Sequence, residues 1–160
     1  RLIESYANSN LPQKKIHLVI LGTGEEQDKL EKKILDLKIE TKVHLFGFKE
    51  NVWDYISNAK FSVLSSQYEG FPMTILESLS LGIPVISFDC ESGPNEMIIN
   101  NHNGILVENQ NFTELTHKMN IFGEHEILYK NKKNNSVSSV SKFQSEVVVN
   151  QWLQMLNYGN

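Results

Sequence analysis

The sequence lacks the features that define several common protein classes. It has a single cysteine, Cys90, so no intramolecular disulfide can form and a reducing cytoplasm is the simpler setting. No apolar run approaches the roughly 20 residues of a membrane span, and no signal peptide opens the chain. The formal net charge is −4 and adjacent lysines form only isolated pairs, which argues against a nucleic-acid partner because phosphate binding needs a concentrated basic face.

Metal ligands in a recognisable arrangement are also missing. None of the five histidines has zinc-ligand spacing, and no Asp-x-Asp pair occurs, so we expect no metal site and no cofactor. His17 and His44 fall within strand patterns and are interpreted as structural residues. His117 and His125 are expected on solvated faces. Cys90 has no partner and no clear base, which favours packing over a role as nucleophile.

Short apolar runs alternate with helical patterns along the chain, whose 160 residues and 40% hydrophobic content suit one globular domain. The predicted strands are residues 16–21, 43–46, 61–66, 85–88 and 105–107. Helices are predicted between them and near residues 2–7. The alternation indicates an α/β fold, a Rossmann-like parallel sheet flanked by helices, with ligands at the carboxyl ends of the strands.

The last third of the chain carries helix and loop signals. Asn111 followed by Glu114 is typical of an N-cap with its capping-box partner, opening a helix. Residues 131–141 are rich in Lys, Asn and Ser and predict a flexible surface connector. A final helix is predicted at about residues 143–156. Its inward-facing side chains are expected to be Val148, Trp152 and Met155.

Two carboxylates, Glu69 and Glu77, stand at either end of a loop that runs from a predicted strand into a helix. The helix is expected to end with Gly82 as its C′ residue and Pro84 just beyond. A helix N-terminus at the carboxyl end of a parallel strand offers free N–H groups to an anion such as a diphosphate, and carboxylates beside it suit hydroxyl groups. The alternative is a surface acid at Glu69 and an acid that favours an early helical turn at Glu77.

The pattern around this pair resembles the retaining glycosyltransferases of GT-B fold in family 4, whose nucleotide-sugar half carries two glutamates separated by seven residues. The matching residues are Glu69, Gly70, Phe71, Pro72 and Glu77, then residues 80–86, 93–98 and 103–107. The resemblance covers most of the chain and fades after about residue 120. It implies that residues 1–160 are a C-terminal, nucleotide-sugar-binding domain, without the N-terminal domain that would bind the acceptor.

The resemblance also implies a role for each residue of this segment. Glu77 would accept hydrogen bonds from the ribose 2′- and 3′-hydroxyls, since one carboxylate can accept from both groups of a vicinal diol. Glu69, the candidate catalytic residue, would face the donor sugar as nucleophile or as positioning group. The groups expected around the sugar and diphosphate are the backbone of Gly70, Phe71 and Pro72 and the helix-terminal N–H groups of Thr74 and Ile75.

Two further turns follow predicted strands. Gly22-Thr23-Gly24 lacks the third glycine of the dinucleotide-binding fingerprint, and three acids open the next helix. A tight turn and a turn lining the cleft are therefore favoured over a phosphate cradle. Gly47-Phe48-Lys49 stands where similar enzymes hold the nucleotide base, so Phe48 is either a base contact or a core residue. Gly22, Phe48 and Lys49 are the candidate substrate-binding residues of these turns.

The function implied by the resemblance is transfer of a hexose-type sugar from a nucleoside-diphosphate sugar, with UDP expected, to a glycan or lipid-linked acceptor in polysaccharide or lipopolysaccharide-type biosynthesis. The complete enzyme would work in the cytoplasm, either free or peripherally at the inner face of the membrane. The alternatives are a nucleotide-sugar epimerase of the same fold and a non-catalytic nucleotide-sugar-binding module. An NAD-dependent oxidoreductase comes last because the glycine fingerprint is broken.

One strand of the implied fold is missing from the pattern. In similar domains the first strand lies between those predicted here at residues 16–21 and 61–66, yet residues 2–7 have helical spacing and residues 8–12 form a loop. An unfilled central position would leave two rows of backbone donors and acceptors unpaired. We expect that the chain begins inside a larger protein whose residues upstream of Arg1 supply this strand. Otherwise the sheet closes differently or borrows a strand.

Overall fold

The computed structural model describes residues 1–157, except the side chains of residues 126–130, 133 and 157. Helices and strands alternate through the first two thirds of the chain, and helices form the rest. In chain order the elements are α1 Leu2–Ala7, β1 Leu18–Ile20, α2 Gln27–Asp36, β2 Val43–Leu45, α3 Val52–Ser57, β3 Ser62–Leu64, α4 Met73–Ser80, β4 Val85–Asp89, α5 Pro94–Met97, β5 Gly104–Glu108, α6 Phe112–Glu124, α7 Glu126–Ser139, a 3-10 turn Ser141–Phe143 and α8 Ser145–Asn157.

Every strand pair between these elements is parallel, which confirms the predicted fold class. β1 pairs with β2, with Leu18 opposite Val43, and β4 pairs with both β3 and β5, with Val85 opposite Ser62 and Gly104. The two groups form separate sheets, and no pairing joins β1 to β3 within residues 1–157. β1 and β3 are therefore not paired with each other, as the prediction of an open position between them requires.

Two apolar cores pack on the sheets. The larger core includes α1 and α6, whose buried residues recur at helical spacing, as Leu115, Met119 and Phe122 do along α6. Tyr6 of α1 is buried in it, and its hydroxyl donates to the carbonyl of Ile16 at 2.8 Å. The smaller core lies between α4, α5 and β4 and includes Val140. Helices thus cover both faces of the β3–β4–β5 sheet, as a parallel sheet requires.

Two helix termini follow the sequence signals closely. The Oδ1 atom of Asn111 accepts a hydrogen bond from the backbone N–H of Glu114 at 2.9 Å, which confirms the predicted N-cap of α6. Gly82 follows the end of α4 with φ +75°, the left-handed conformation of a C′ glycine. β1, β2 and β3 are shorter than predicted, because backbone pairing stops before their apolar runs do, whereas β4 is one residue longer and β5 two residues longer than predicted.

The prediction of a flexible connector at residues 131–141 is wrong. These residues continue α7 as far as Ser139, and the side chains of Lys132, Ser136 and Val140, four residues apart, are buried. The buried hydroxyl of Ser136 is paired, because it donates to the carbonyl of Lys132 at 2.8 Å. Paired polar groups can occupy buried helix positions, so a polar composition did not prevent packing here.

The predicted inward face of the last helix is also wrong for residues 1–157. The helix forms as α8 and packs against the 3-10 turn. Val148 is half-buried, but Trp152 and Met155 remain 60% and 61% exposed. Their spacing makes one side of α8 apolar, and nothing in the described part of the chain covers that side.

Candidate functional site

The carboxylate loop, which we define as residues 65–72, connects the carboxyl end of β3 to α4. Glu69 lies in this loop and Glu77 lies in the second turn of α4, and both side chains are half-buried. Thr74 is exposed at the start of α4, whereas Ile75 is 1% exposed and belongs to the smaller core. The site residues predicted between positions 69 and 77 therefore lie together at the carboxyl end of β3, in the loop and in the first two turns of α4.

One predicted group is not free to bind an anion. The backbone N–H of Ile75 donates to the carbonyl of Pro72 at 3.0 Å, closing the first turn of α4. This bond corrects the expectation that Ile75 offers a helix-terminal N–H to a diphosphate, because the donor is already used. The role predicted for the N–H of Thr74 is unaffected.

The turn between β4 and α5 holds the carboxylate loop from the neighbouring strand end. The hydroxyl of Ser92 donates to the carbonyl of Glu69 at 2.7 Å. Gly93, with φ +92°, lies so close to Pro72 that a Cβ atom would come within 2.5 Å of the proline Cδ. Glu96 accepts a hydrogen bond from the N–H of Gly93 at 3.3 Å and so closes the start of α5. Adjacent parallel strands place these two turns side by side.

An aromatic contact supports the same loop from the other end of the chain. The ring of Phe71 is 47% exposed and meets the ring of Phe143 edge-on, with centroids 5.6 Å apart. Sequence reasoning missed Ser92 and Phe143. The position of Ser92 after a predicted strand could have indicated it, whereas no local signal connects Phe143 to Phe71.

The turns after β1 and β2 form a second group. The N–H of Gly22 donates to the carbonyl of Gly47 at 2.8 Å, and both glycines have positive φ. This supports the interpretation of residues 22–24 as a tight turn. Phe48 is 73% exposed, which excludes the core alternative. The Nζ atom of Lys49 lies 6.0 Å from the ring centroid of Phe46.

The two groups of predicted residues are not brought into contact. In the described part of the chain no hydrogen bond or ring contact joins Gly22, Phe48 or Lys49 to Glu69 or Glu77. The open position between β1 and β3 separates their sheets. Both groups nevertheless lie at the carboxyl ends of parallel strands, the edge where ligands of such sheets bind.

Two negative findings concern residues 1–157. No helix in this range combines the length and apolar character needed to cross a membrane. In the same range no three His, Cys, Asp or Glu side chains are grouped so that they could hold a metal ion. Cys90, which was predicted from the sequence to be a packing residue, is 2% exposed.

Comparison with known proteins identifies the family of this chain. The family described as "Glycosyl transferases group 1" matches residues 1–138. The chain belongs to this family of glycosyltransferases. The match contains both the carboxylate loop and the paired turns after β1 and β2.

Individual relatives cover nearly the whole chain. It is 32% identical over 155 residues to the N-acetylgalactosamine-N,N'-diacetylbacillosaminyl-diphospho-undecaprenol 4-alpha-N-acetylgalactosaminyltransferase of Campylobacter jejuni, covering 97% of this chain and 42% of that protein. It is 30% identical over 141 residues to the poly(ribitol-phosphate) alpha-N-acetylglucosaminyltransferase of Staphylococcus aureus, covering 86% of this chain and 28% of the relative.

A solved structure gives the same fold. A mutant of S. aureus TarM in complex with fondaparinux, alpha-GlcNAc-glycerol and UDP superimposes with a TM-score of 0.86 at 28% identity, covering 97% of this chain and 32% of that one. The chain spans less than half the length of the curated relatives described above. The chain therefore corresponds to a part of these longer proteins, and over that part it has the fold of the similar enzyme.

Proposed function

We propose that this chain is the donor-binding domain of a retaining glycosyltransferase that uses a UDP-sugar. The observation that carries the proposal is the arrangement of Glu69 and Glu77 on either side of the start of α4, with the loop between them held by Ser92 and Gly93. Carboxylates placed beside a helix N-terminus can accept hydroxyl groups while the N–H groups face a diphosphate. The UDP complex of a similar enzyme supports this choice of nucleotide.

Each residue of the site has one proposed role. Glu77 accepts the ribose hydroxyls, and Glu69 faces the hexose-type sugar as the catalytic residue. The N–H of Thr74 faces the diphosphate, and the exposed ring of Phe48 contacts the base. The remaining donor-binding residues are Gly70, Phe71, Pro72, Gly22 and Lys49.

The proposed mechanism rests on stabilising the leaving diphosphate. As the glycosidic bond to the diphosphate breaks, negative charge grows on the β-phosphate, and preorganised N–H donors stabilise that charge. The anomeric centre becomes oxocarbenium-like, and a carboxylate at Glu69 stabilises positive charge there. Retention follows either from two successive inversions, in which Glu69 displaces the diphosphate and the acceptor hydroxyl then displaces Glu69, or from attack by the acceptor hydroxyl on the face that the diphosphate leaves.

The acceptor is proposed to bind outside residues 1–160, in an N-terminal domain of the complete protein. A glycan or lipid-linked acceptor of cell-surface polysaccharide synthesis fits the names of the relatives, which include a diphospho-undecaprenol and a poly(ribitol-phosphate). Work in the cytoplasm, free or at the inner face of the membrane, would give access to UDP-sugars and to such acceptors.

The test is Glu69→Gln in the complete protein, compared with Glu40→Gln as a control on an exposed turn before β2. Transfer from a panel of UDP-sugars is measured together with UDP affinity by calorimetry. We expect Glu69→Gln to lose turnover while UDP affinity stays close to that of the control, because its partner is the sugar. Equal turnover in the two variants would remove Glu69 from the site.

The same assay separates the two alternatives. Binding of UDP-sugar without transfer or hydrolysis by the complete protein would favour a non-catalytic binding module. Conversion of the UDP-sugar to its epimer, followed by NMR of the sugar ring protons, would favour an epimerase.

A further inference from the structure

Four consecutive residues of the carboxylate loop are each held by a contact from outside it. The carbonyl of Glu69 accepts from Ser92, and the carbonyl of Gly70 and the ring of Pro72 lie against Gly93. The fourth contact is the edge-on packing of Phe71 on Phe143. Three of these contacts come from the neighbouring strand end, but the fourth comes from the 3-10 turn between α7 and α8.

The 3-10 turn is itself anchored on two sides. Phe143 packs against the smaller core, which contains Ile75 of α4 and Met97 of α5. The Nζ atom of Lys142 donates to the carbonyl of Glu96 at 2.9 Å and lies 4.8 Å from the ring centroid of Phe143. The turn therefore joins α5 to the carboxylate loop through Phe71.

We infer that Phe143 and Lys142 are positioning residues that set the orientation of Glu69 through Phe71 and α5. The inference rests on the proposed function. Both residues lie beyond position 138, where the match to the family ends. Phe71 is half exposed, so solvent on its open side does not fix its position and the packing of its ring on Phe143 does. Without that packing, residues 69–72 gain conformational freedom.

The consequence concerns rate more than affinity. A displacement of a catalytic group by about 1 Å can cost on the order of a hundredfold in rate. Glu77 lies on α4, which keeps its other contacts in the smaller core when Phe143 is removed. Loss of Phe143 should therefore lower kcat and leave UDP affinity nearly unchanged. Loss of a residue with a purely structural role would instead lower Tm without lowering kcat selectively relative to UDP affinity.

The experiment uses the complete protein with Phe143→Ala, Phe143→Tyr, Phe71→Ala and the double variant Phe71→Ala/Phe143→Ala. The control is Phe61→Ala, which removes a similar edge-on pair, with Phe122 at 5.2 Å, that belongs to the larger core. For each variant kcat, KM for the UDP-sugar, UDP affinity and Tm are measured.

We expect Phe143→Ala and Phe71→Ala each to lower kcat by about tenfold or more, with UDP affinity within about twofold of the unmodified protein. The double variant should be no slower than the slower single variant, because both changes break one contact. Phe143→Tyr should keep most of kcat. Phe61→Ala should lower Tm and leave kcat unchanged.

Lys142→Met tests the second anchor of the 3-10 turn. It should also lower kcat, but by less than Phe143→Ala does. Unchanged kcat in Phe71→Ala, or fully additive effects in the double variant, would overturn the inference even if Phe143→Ala fails to fold. Failure of the proposed function looks different. In that case the unmodified protein transfers no sugar, or Glu69→Gln equals its control.

Discussion

The backbone of Gly93 lies directly against the ring of Pro72. A Cβ atom at Gly93 would stand 2.5 Å from the Cδ atom of Pro72 and 2.8 Å from the carbonyl oxygen of Gly70. The same glycine has φ +92°, a conformation that L side chains rarely adopt. The close contact makes the β4–α5 turn and the carboxylate loop one packed unit, although they belong to different strands.

Gly93→Ala should therefore disturb both turns. The strained φ and the contact with Pro72 should cost about 1 to 3 kcal/mol of unfolding free energy, measured by urea denaturation. Transfer by the complete protein should fall as well, because Pro72 and Gly70 must move. Gly24→Ala is the control for stability, since Gly24 has no neighbour within 4 Å of an added Cβ and no strained φ. Equal urea midpoints for the two variants would contradict the packing argument.

Glu77→Ala should weaken nucleotide binding. If Glu77 accepts the two ribose hydroxyls, its removal leaves them unpaired in the bound state and should cost about 1 to 3 kcal/mol of UDP binding free energy. Calorimetry of the complete protein with UDP measures this directly. With 2′,3′-dideoxy-UDP, which lacks both hydroxyls, the variant and the unmodified protein should have nearly the same affinity. Unchanged UDP affinity would remove Glu77 from the ribose site.

Lys132→Met should stabilise the fold. Lys132 is 6% exposed and donates to the carbonyl of Asn101 at 2.5 Å, and burial lowers the pKa of its amine below the ordinary value of 10.5. Met avoids burying a charge, and Asn101 is exposed to water, so we expect a gain of about 1 kcal/mol near neutral pH.

The gain should depend on pH with a definite sign. The unfolded chain holds the Lys132 proton more tightly, so the unmodified protein becomes more stable as pH rises from the folded-state pKa towards 10.5. The advantage of the Met variant should shrink over that window. The exposed Lys32→Met serves as control, and a gain that does not vary with alkaline pH would speak against the buried amine as its source.

Chelation should leave transfer by the complete protein largely intact. The prediction rests on the absence of an Asp-x-Asp pair from the sequence, because carboxylate pairs of that kind hold the divalent cation of metal-dependent sugar transferases. Activity is measured before and after EDTA treatment, with Mn²⁺ and Mg²⁺ added back separately. A strict, reversible requirement for either ion would contradict the metal-free diphosphate site.

The open position between β1 and β3 should be filled in a longer protein that includes residues upstream of Arg1. In the 160-residue chain the backbone amides of Val19 and Val63 should exchange with solvent faster than those of β4, which is paired on both sides. In the longer protein their exchange should slow. The 160-residue chain alone should show little or no transfer. Slow exchange at both strands in the short chain would mean that the sheet closes in another way.

The sequence predicted most of the elements and much of the candidate site, because those signals are local. Asn111 caps α6 and Gly82 ends α4 as their residue types and spacing indicate. The expectation for Ile75 was wrong although the interaction concerned is local too. Its place near the helix N-terminus was predicted, but its N–H is used by the carbonyl of Pro72 within the first turn.

The polar composition of residues 131–141 was misleading for a non-local reason. Lys132 and Ser139 find hydrogen-bond partners in the loop before β5: Lys132 donates to the carbonyl of Asn101, and the side-chain amide of Asn103 donates to the hydroxyl of Ser139. Those partners are distant in sequence, so composition alone indicated solvent exposure. The contact of Phe143 with Phe71 was missed for the same reason.

What the sequence by itself determined is the alternation of strands and helices, the position of Glu69 and Glu77 at a strand end, and the turns that need positive φ. Hydrophobic period and turn stereochemistry depend on neighbouring residues, so they follow from the order of residues alone. Only the tertiary structure decided that Ser92 and Phe143 hold the carboxylate loop, that Lys132 is buried and that the apolar side of α8 is uncovered within the described residues. These features depend on which distant segments pack together, and burial, unlike period, is a property of the whole assembly of elements.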